Sequence, residues 1–281
     1  MIIIGEKING TIPSVKKAIE RKDEAFIHDL TLRQVEAGAN YLDISAGTAP
    51  DVEVDTLEWL MDIVQDAVET PLCIDSPSVR VIEQVLPCAK RAGIINSISE
   101  EGGKSDILFP IIRGTEWQVI AQTSDSRGIP KDIQTRVDIA KTIVEKAQKY
   151  DIAAERIHID PLVTALATDN QSLLNFVETA REVRKLYPTI KVTSGLSNIS
   201  FGLPVRKLLN QAFLVLAMNA GMNSAVLDPC NRDLMGLVFA TEALLGMDDY
   251  CIEYIAAYRK RVFGPVVGSK EETRDGRAQT K

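Results

Sequence analysis

The sequence is short of the residues that metal and nucleophile chemistry usually needs. It holds two histidines, His28 and His158, and four cysteines, Cys73, Cys88, Cys230 and Cys251. No two cysteines form Cys-x-x-Cys and no histidine lies at ligand spacing from one, so a zinc or other metal site is not expected. The cysteines read as free thiols of a reducing compartment, with Cys73 a small core residue inside an apolar run. No apolar stretch approaches the roughly 20 residues that span a bilayer. The start, MIIIGEKING, lacks the basic segment and long apolar run of a signal peptide, which points to the cytoplasm. Basic residues are outnumbered, giving a net charge of -7, which argues against a general nucleic-acid binder. There is no P-loop, no G-x-G-x-x-G turn and no G-x-S-x-G elbow.

What is present is a regular alternation. With 281 residues the chain suits one barrel or two small domains. Short apolar runs rich in β-branched residues fall at residues 2–5, 41–45, 72–75, 93–96, 118–122, 157–160, 192–195 and 225–228. They are nearly continuous in apolar residues, as expected for parallel strands covered on both faces. Amphipathic stretches lie between them, at 23–37, 55–68, 78–90, 131–150, 170–186, 206–220, 231–245 and 248–261, several closed by Gly38, Gly221 or Gly246. Eight such units with right-handed crossovers predict an α/β fold, a TIM-type (β/α)8 barrel over residues 1–263. An open doubly wound sheet is the rival, but GEKING is not its glycine-rich first turn. Residues 264–281 are polar and without periodicity, and read as a disordered or artificial tail.

Polar residues recur where these strands end: Asp43, Asp75, Asn96, Asp160 and Asp228, with Asn198 just beyond the seventh. Barrel enzymes build their sites at the C-terminal ends of the strands. Each residue by itself could be a cap for the next helix, but six together point to a site. Carboxylates and amides without histidine suit hydrogen bonding to a polar heterocycle with amide-like edges better than they suit a transition metal. His158 lies two residues before Asp160, so period-2 alternation puts both on one side of the strand. A Schiff-base aldolase would want a lysine at a strand end; Lys7 follows the first strand and Lys191 precedes the seventh.

The segments IIIGEKIN, GANYLDIS, LCIDS, IINS, GIPKD, IDPL and GLSNISFG occur in an order that resembles the pterin-binding barrel methyltransferases. That family includes methyltetrahydrofolate:corrinoid/iron-sulfur protein methyltransferase and the folate domain of cobalamin-dependent methionine synthase. The resemblance runs from residue 2 to about 204 in motifs and to about 262 in helix spacing. It implies a methyl transfer between tetrahydrofolate and the cobalt of a corrinoid (cobalamin) carried by a partner protein, in either direction, by a homodimer that binds no metal itself. It implies that Asp75, Asn96 and Asp160 hold the pterin. It makes Asn198 the catalytic hydrogen-bonder, with Gly195 and Ser197 in its loop, Arg206 beyond and Gln122 at the end of the fifth strand. Asp43 and Asp228 are explained equally by capping and by support of the site. The run Phe201-Gly202-Leu203-Pro204 is closer to the methionine synthase pattern. The alternatives are a folate-binding protein without catalysis and a dihydropteroate synthase-like enzyme. The latter is disfavoured by the lack of its phosphate loop and of a matching Lys and Arg set for pyrophosphate.

Overall fold

The computed structural model describes residues 1–265, so the predicted 264–281 tail lies almost wholly outside the described residues. The chain divides into two compact units, Met1–Pro229 and a second beginning at Cys230.

All eight strands belong to the first unit: β1 (Ile2–Asn9), β2 (Tyr41–Ser45), β3 (Leu72–Asp75), β4 (Ile94–Ile98), β5 (Gln118–Gln122), β6 (Ile157–Asp160), β7 (Lys191–Val192) and β8 (Ser224–Leu227). They run in the order β7-β6-β5-β4-β3-β2-β1-β8, and every pair is parallel. The circle closes by the bridge Gly195↔Val226, with Val226 N–H donating to Ser194 O at 3.0 Å and Asn223 N–H to Val192 O at 3.1 Å. This is the predicted eight-stranded barrel, with helices on its outside.

Alternation along the strands builds two apolar layers. Leu42, Ile44, Leu72, Ile74, Ile95, Val119, Ala121, Ile157 and Ile159 point outward into the main core beneath the helices. Ile4, Cys73, Ile94 and Ile120 fill the barrel interior. Burial on both faces accounts for the unbroken apolar runs.

The helices of this unit are α1 (Pro13–Arg21), α2 (Glu24–Glu36), α3 (Glu53–Ala67), α4 (Val79–Val85), α5 (Lys104–Ile112), α6 (Ile133–Lys149), α7 (Ser172–Leu186) and α8 (Arg206–Asn219). Three of them start behind a short polar cap: Asp23 accepts from Phe26 N–H at 3.1 Å, Ser78 from Val81 N–H at 3.4 Å and Asp132 from Thr135 N–H at 2.8 Å. Gly38 and Gly221 stand past the ends of α2 and α8 with φ of 101° and 106°.

Two helices were not expected from the sequence. The helix α1 begins directly at the barrel rim with Pro13 in its first turn. The helix α5 follows Glu-Gly-Gly and contains Pro110, both signals normally read as loop. The strand β7 covers Lys191–Val192 where 192–195 was predicted, with Thr193 N–H still donating to Ile159 O at 2.8 Å; β1 runs on to Asn9.

The second unit holds α9 (Arg232–Leu244) and α10 (Ile252–Arg259). Asn231 caps α9 through Leu234 N–H at 3.2 Å, and Phe263 stacks its ring near Phe239, Tyr254 and Tyr258. Among the described residues no helix is long and apolar enough to cross a membrane.

Candidate active site

A cavity of about 580 Å³ opens at the C-terminal ends of the strands. It is lined by Asp43, Asp75, Asn96, Gln122, Asp160, Gly195, Ser197, Asn198 and Arg206. The fold therefore brings together every residue singled out for the site except Asp228, which forms an ion pair with Lys7 at 3.3 Å.

The floor of the cavity is acidic and mostly buried. Asp43 is buried and accepts a hydrogen bond from Asn96 Nδ2 at 3.1 Å, which fixes the orientation of that amide. Burial, and then the neighbouring Asp75, hold its carboxyl well above the usual carboxylate range. Burial also pushes Asp75 up to about 6, against a hydrogen bond from Ser45 that favours the ion. Burial pushes Asp160 up to about 7, although Leu162 N–H donates to its Oδ1 at 2.8 Å. Three carboxyls that are costly to ionise alone would gain from a ligand whose N–H edge shares their charge.

The segment after β6 is held in place by a buried cation. Leu162 takes a left-handed conformation, φ 65°, that a branched side chain rarely adopts. Arg136, itself buried, donates to Pro161 O at 2.8 Å and Leu162 O at 2.9 Å. That bracing keeps Leu162 N–H aimed at Asp160.

On the opposite arc, Asn198 sits exposed at the mouth in a 3₁₀ turn, Leu196–Ser200. Its Nδ2 lies so close to Gly195 that a Cβ there would approach to 2.9 Å. Arg206 ties the turn down, donating to Ser197 O at 2.8 Å and Ser200 Oγ at 3.1 Å. The buried hydroxyls of Thr193 and Ser194 line the same wall and have no hydrogen-bond partner among the described residues. Buried hydroxyls left in that state suit a polar ligand.

Glu6 and Asn9 also line the cavity, and sequence reasoning missed both. The pairing of β1 with β2 slips between Gly5 and Ile8, so one extra residue is inserted. Glu6 faces inward by alternation with Ile4, and the slip turns Asn9 inward as well, where strict alternation would send it outward. Gly10 then passes so close to the end of β2 that a Cβ would meet Ala46 O at 1.8 Å. The signal available was GEKING itself, polar residues breaking an apolar strand before a glycine.

His158 points inward like Asp160 but one layer deeper, away from the cavity lining. Its Nδ1 meets Ser224 Oγ and its Nε2 meets Gln118 Oε1, both at 2.9 Å. Burial, and Lys191 nearby, push its pKa down to about 3, so it is a neutral interior tie. Among the described residues no group of three or more His, Cys, Asp or Glu side chains is placed to hold a metal ion.

The strand ends thus surround an acidic cavity large enough for a bicyclic heterocycle. The pattern that describes the pterin binding enzymes matches residues 5–228. The chain belongs to the pterin-binding enzyme family. It is 54% identical to the methylcorrinoid:tetrahydrofolate methyltransferase of Eubacterium limosum, over 95% of this chain and 99% of that protein. It is 26% identical to the methionine synthase of Mycobacterium leprae, over 83% of this chain but 21% of that much longer protein. The dihydropteroate synthase of Xanthomonas albilineans in complex with 7,8-dihydropteroate shares the fold, with a TM-score of 0.60 at 20% identity over 86% of this chain and 93% of that one. The Yersinia pestis enzyme does the same, at 0.61 and 18% over 87% and 94%.

Proposed function

We propose that this protein is a methyltransferase that moves a methyl group from a methylated corrinoid, carried by a partner protein, to tetrahydrofolate. The observation that carries the reading is the 54% identity to a methylcorrinoid:tetrahydrofolate methyltransferase along almost the whole of both chains. That likeness also supports taking residues 1–263 as one functional domain. It favours one direction where the motifs left both open.

In this reading Asp75, Asn96 and Asp160 take the N–H and carbonyl edge of the pterin, with Gln122 beside them. A carboxylate accepts two parallel N–H bonds from an aminopyrimidine, and an amide offers a donor and an acceptor together. Asp43 supports the clamp by orienting Asn96. Gly195, Ser197 and Arg206 form and brace the turn that carries Asn198, and Asp228 supports from outside through Lys7. The ring is thereby held with its methyl-accepting nitrogen toward the cavity mouth, where the corrinoid must reach it.

The transfer is an in-line displacement: the nitrogen lone pair attacks the methyl carbon, the carbon–cobalt electron pair stays with cobalt as Co(I), and the nitrogen loses its proton. Asn198 is too weak an acid or base to take that proton. Its carbonyl accepts a hydrogen bond from the N–H and steadies the positive charge that builds on nitrogen. By microscopic reversibility the same contact would assist the reverse reaction. The protein works as a homodimer in the cytoplasm.

The test is to incubate the protein with tetrahydrofolate and methylcobalamin, free and protein-bound. Methyltetrahydrofolate and Co(I) should form in equal amounts. A protein that binds tetrahydrofolate but transfers no methyl with either donor would be a carrier, and the reading would fail.

A further inference from the structure

Methylation of a secondary amine nitrogen releases one proton, and the groups assigned so far leave that proton without a destination. Asp75 and Asp160 are committed to the ring edge. Asp43 lies on the floor and holds Asn96. Asn198 is an amide, and Arg206 is a cation. The remaining carboxylate of the cavity wall is Glu6.

Its position fits the task. Going round the barrel from the clamp, β3, β4 and β6 carry Asp75, Asn96 and Asp160, while β1 lies on the other arc, separated from β7 and its Asn198 turn by β8 alone. A ring whose pyrimidine edge faces the clamp turns its second ring, and the reacting nitrogen, toward that arc. Glu6 follows the interior residue Ile4 by two along β1, so the alternation of the strand points it inward there. The charged groups that act on Glu6 come from four elements: Asp228 after β8, Lys7 on its own strand, Arg206 at the start of α8 and Asp43 on β2.

We propose that Glu6 is the proton acceptor for the folate nitrogen as that nitrogen is methylated. This deepens the methyltransferase reading and rests on it. The bonds balance: the N–H bond breaks toward a Glu6 carboxylate oxygen, nitrogen keeps the methyl group, and the carbon–cobalt pair leaves with cobalt. Glu6 then returns its proton to water through the open mouth. Burial, and then the neighbouring Asp228, push its carboxyl up to about 7, strong enough as a base to take the proton and weak enough to release it.

The experiment is single-turnover methyl transfer from methylcobalamin to tetrahydrofolate between pH 5.5 and 8.5, with tetrahydrofolate affinity measured by calorimetry. The wild-type rate should rise with pH to a midpoint near the Glu6 value of about 7. Glu6→Gln should bind tetrahydrofolate within about threefold of wild type, lose roughly 10²-fold or more in rate and lose that rise. Glu6→Asp, which retracts but keeps the base, should fall between and keep a pH-dependent rise; it also decides the question should Glu6→Gln not fold. If Glu6→Gln transfers at the wild-type rate with an unchanged profile, or loses tetrahydrofolate binding outright, Glu6 is not the acceptor. If the wild-type protein transfers no methyl, the methyltransferase reading falls and takes this assignment with it.

Discussion

At the residue scale, the cavity separates groups that hold from groups that react. Asn198 lies at the mouth, outside the buried clamp, so Asn198→Ala should leave the tetrahydrofolate dissociation constant within a few-fold and cut the transfer rate by roughly 10²-fold, the size of a lost hydrogen bond to developing charge. Equal rates for variant and wild type would remove its role. The clamp carboxyls behave differently. Asp160 sits near 7 because it is buried, and a pterin edge favours its ionised form. Tetrahydrofolate should therefore bind more tightly as pH rises from 5 to 8, and Asp160→Asn should weaken binding and flatten that dependence in calorimetry. His158, by contrast, is a tie between β5, β6 and β8. His158→Ala removes the hydrogen bonds to Ser224 and Gln118, the latter still tied to Tyr41 and Lys191, and leaves a void, costing about 2–4 kcal/mol in denaturant unfolding, with tetrahydrofolate affinity unchanged.

At the element scale, the 3₁₀ turn and the start of α8 work as one piece through Arg206. Gly195 is the clearest probe. Its backbone is ordinary, φ -71°, so alanine is allowed there by conformation. The added methyl instead meets Asn198 Nδ2 at 2.9 Å, the far end of a side chain that can swing aside. Gly195→Ala should leave the melting temperature nearly unchanged and slow transfer about as much as Asn198→Ala does. A large loss of stability with transfer intact would show that the turn does not set the Asn198 position. The helices α1 and α5 show why this scale was harder to read. Before α5 the Gly-Gly pair and the internal Pro110 are loop signals that tertiary packing overrode, whereas the Pro13 that opens α1 is compatible with a helix start.

At the scale of the whole molecule, the site makes stability depend on pH. Glu6, Asp75 and Asp160 have folded pKa values of about 7, 6 and 7, all above those of the unfolded chain. Between pH 4 and 7 the unfolded chain thus binds fewer protons at these groups, and stability falls as pH rises through that window. His158 acts oppositely, losing stability as pH falls from about 6.5, but it is one group against these three and Asp43, whose carboxyl burial also raises. The free protein should melt at a lower temperature at pH 7.5 than at pH 5.5, and tetrahydrofolate should reverse part of that fall. A double Asp75→Asn, Asp160→Asn variant should show a flatter profile in scanning calorimetry; a profile as steep as wild type would place the effect elsewhere.

The barrel was determined by the sequence alone, because parallel strands buried on both faces must read as apolar runs and the helices between them must be amphipathic. Asp43, Asp75, Asn96 and Asp160 were legible for the same reason: each closes such a run, where this fold puts its chemistry. The Asn198 turn was legible through its motif. What only the tertiary structure decided is depth and slip. Alternation places His158 and Asp160 on one side of β6, yet it cannot say that one lies in the buried interior and the other at the cavity, since height in a barrel depends on the tilt of all eight strands. Nor can it place Asn9, because the extra residue in β1 exists only in the pairing with β2, and a one-residue slip exchanges the inward and outward faces.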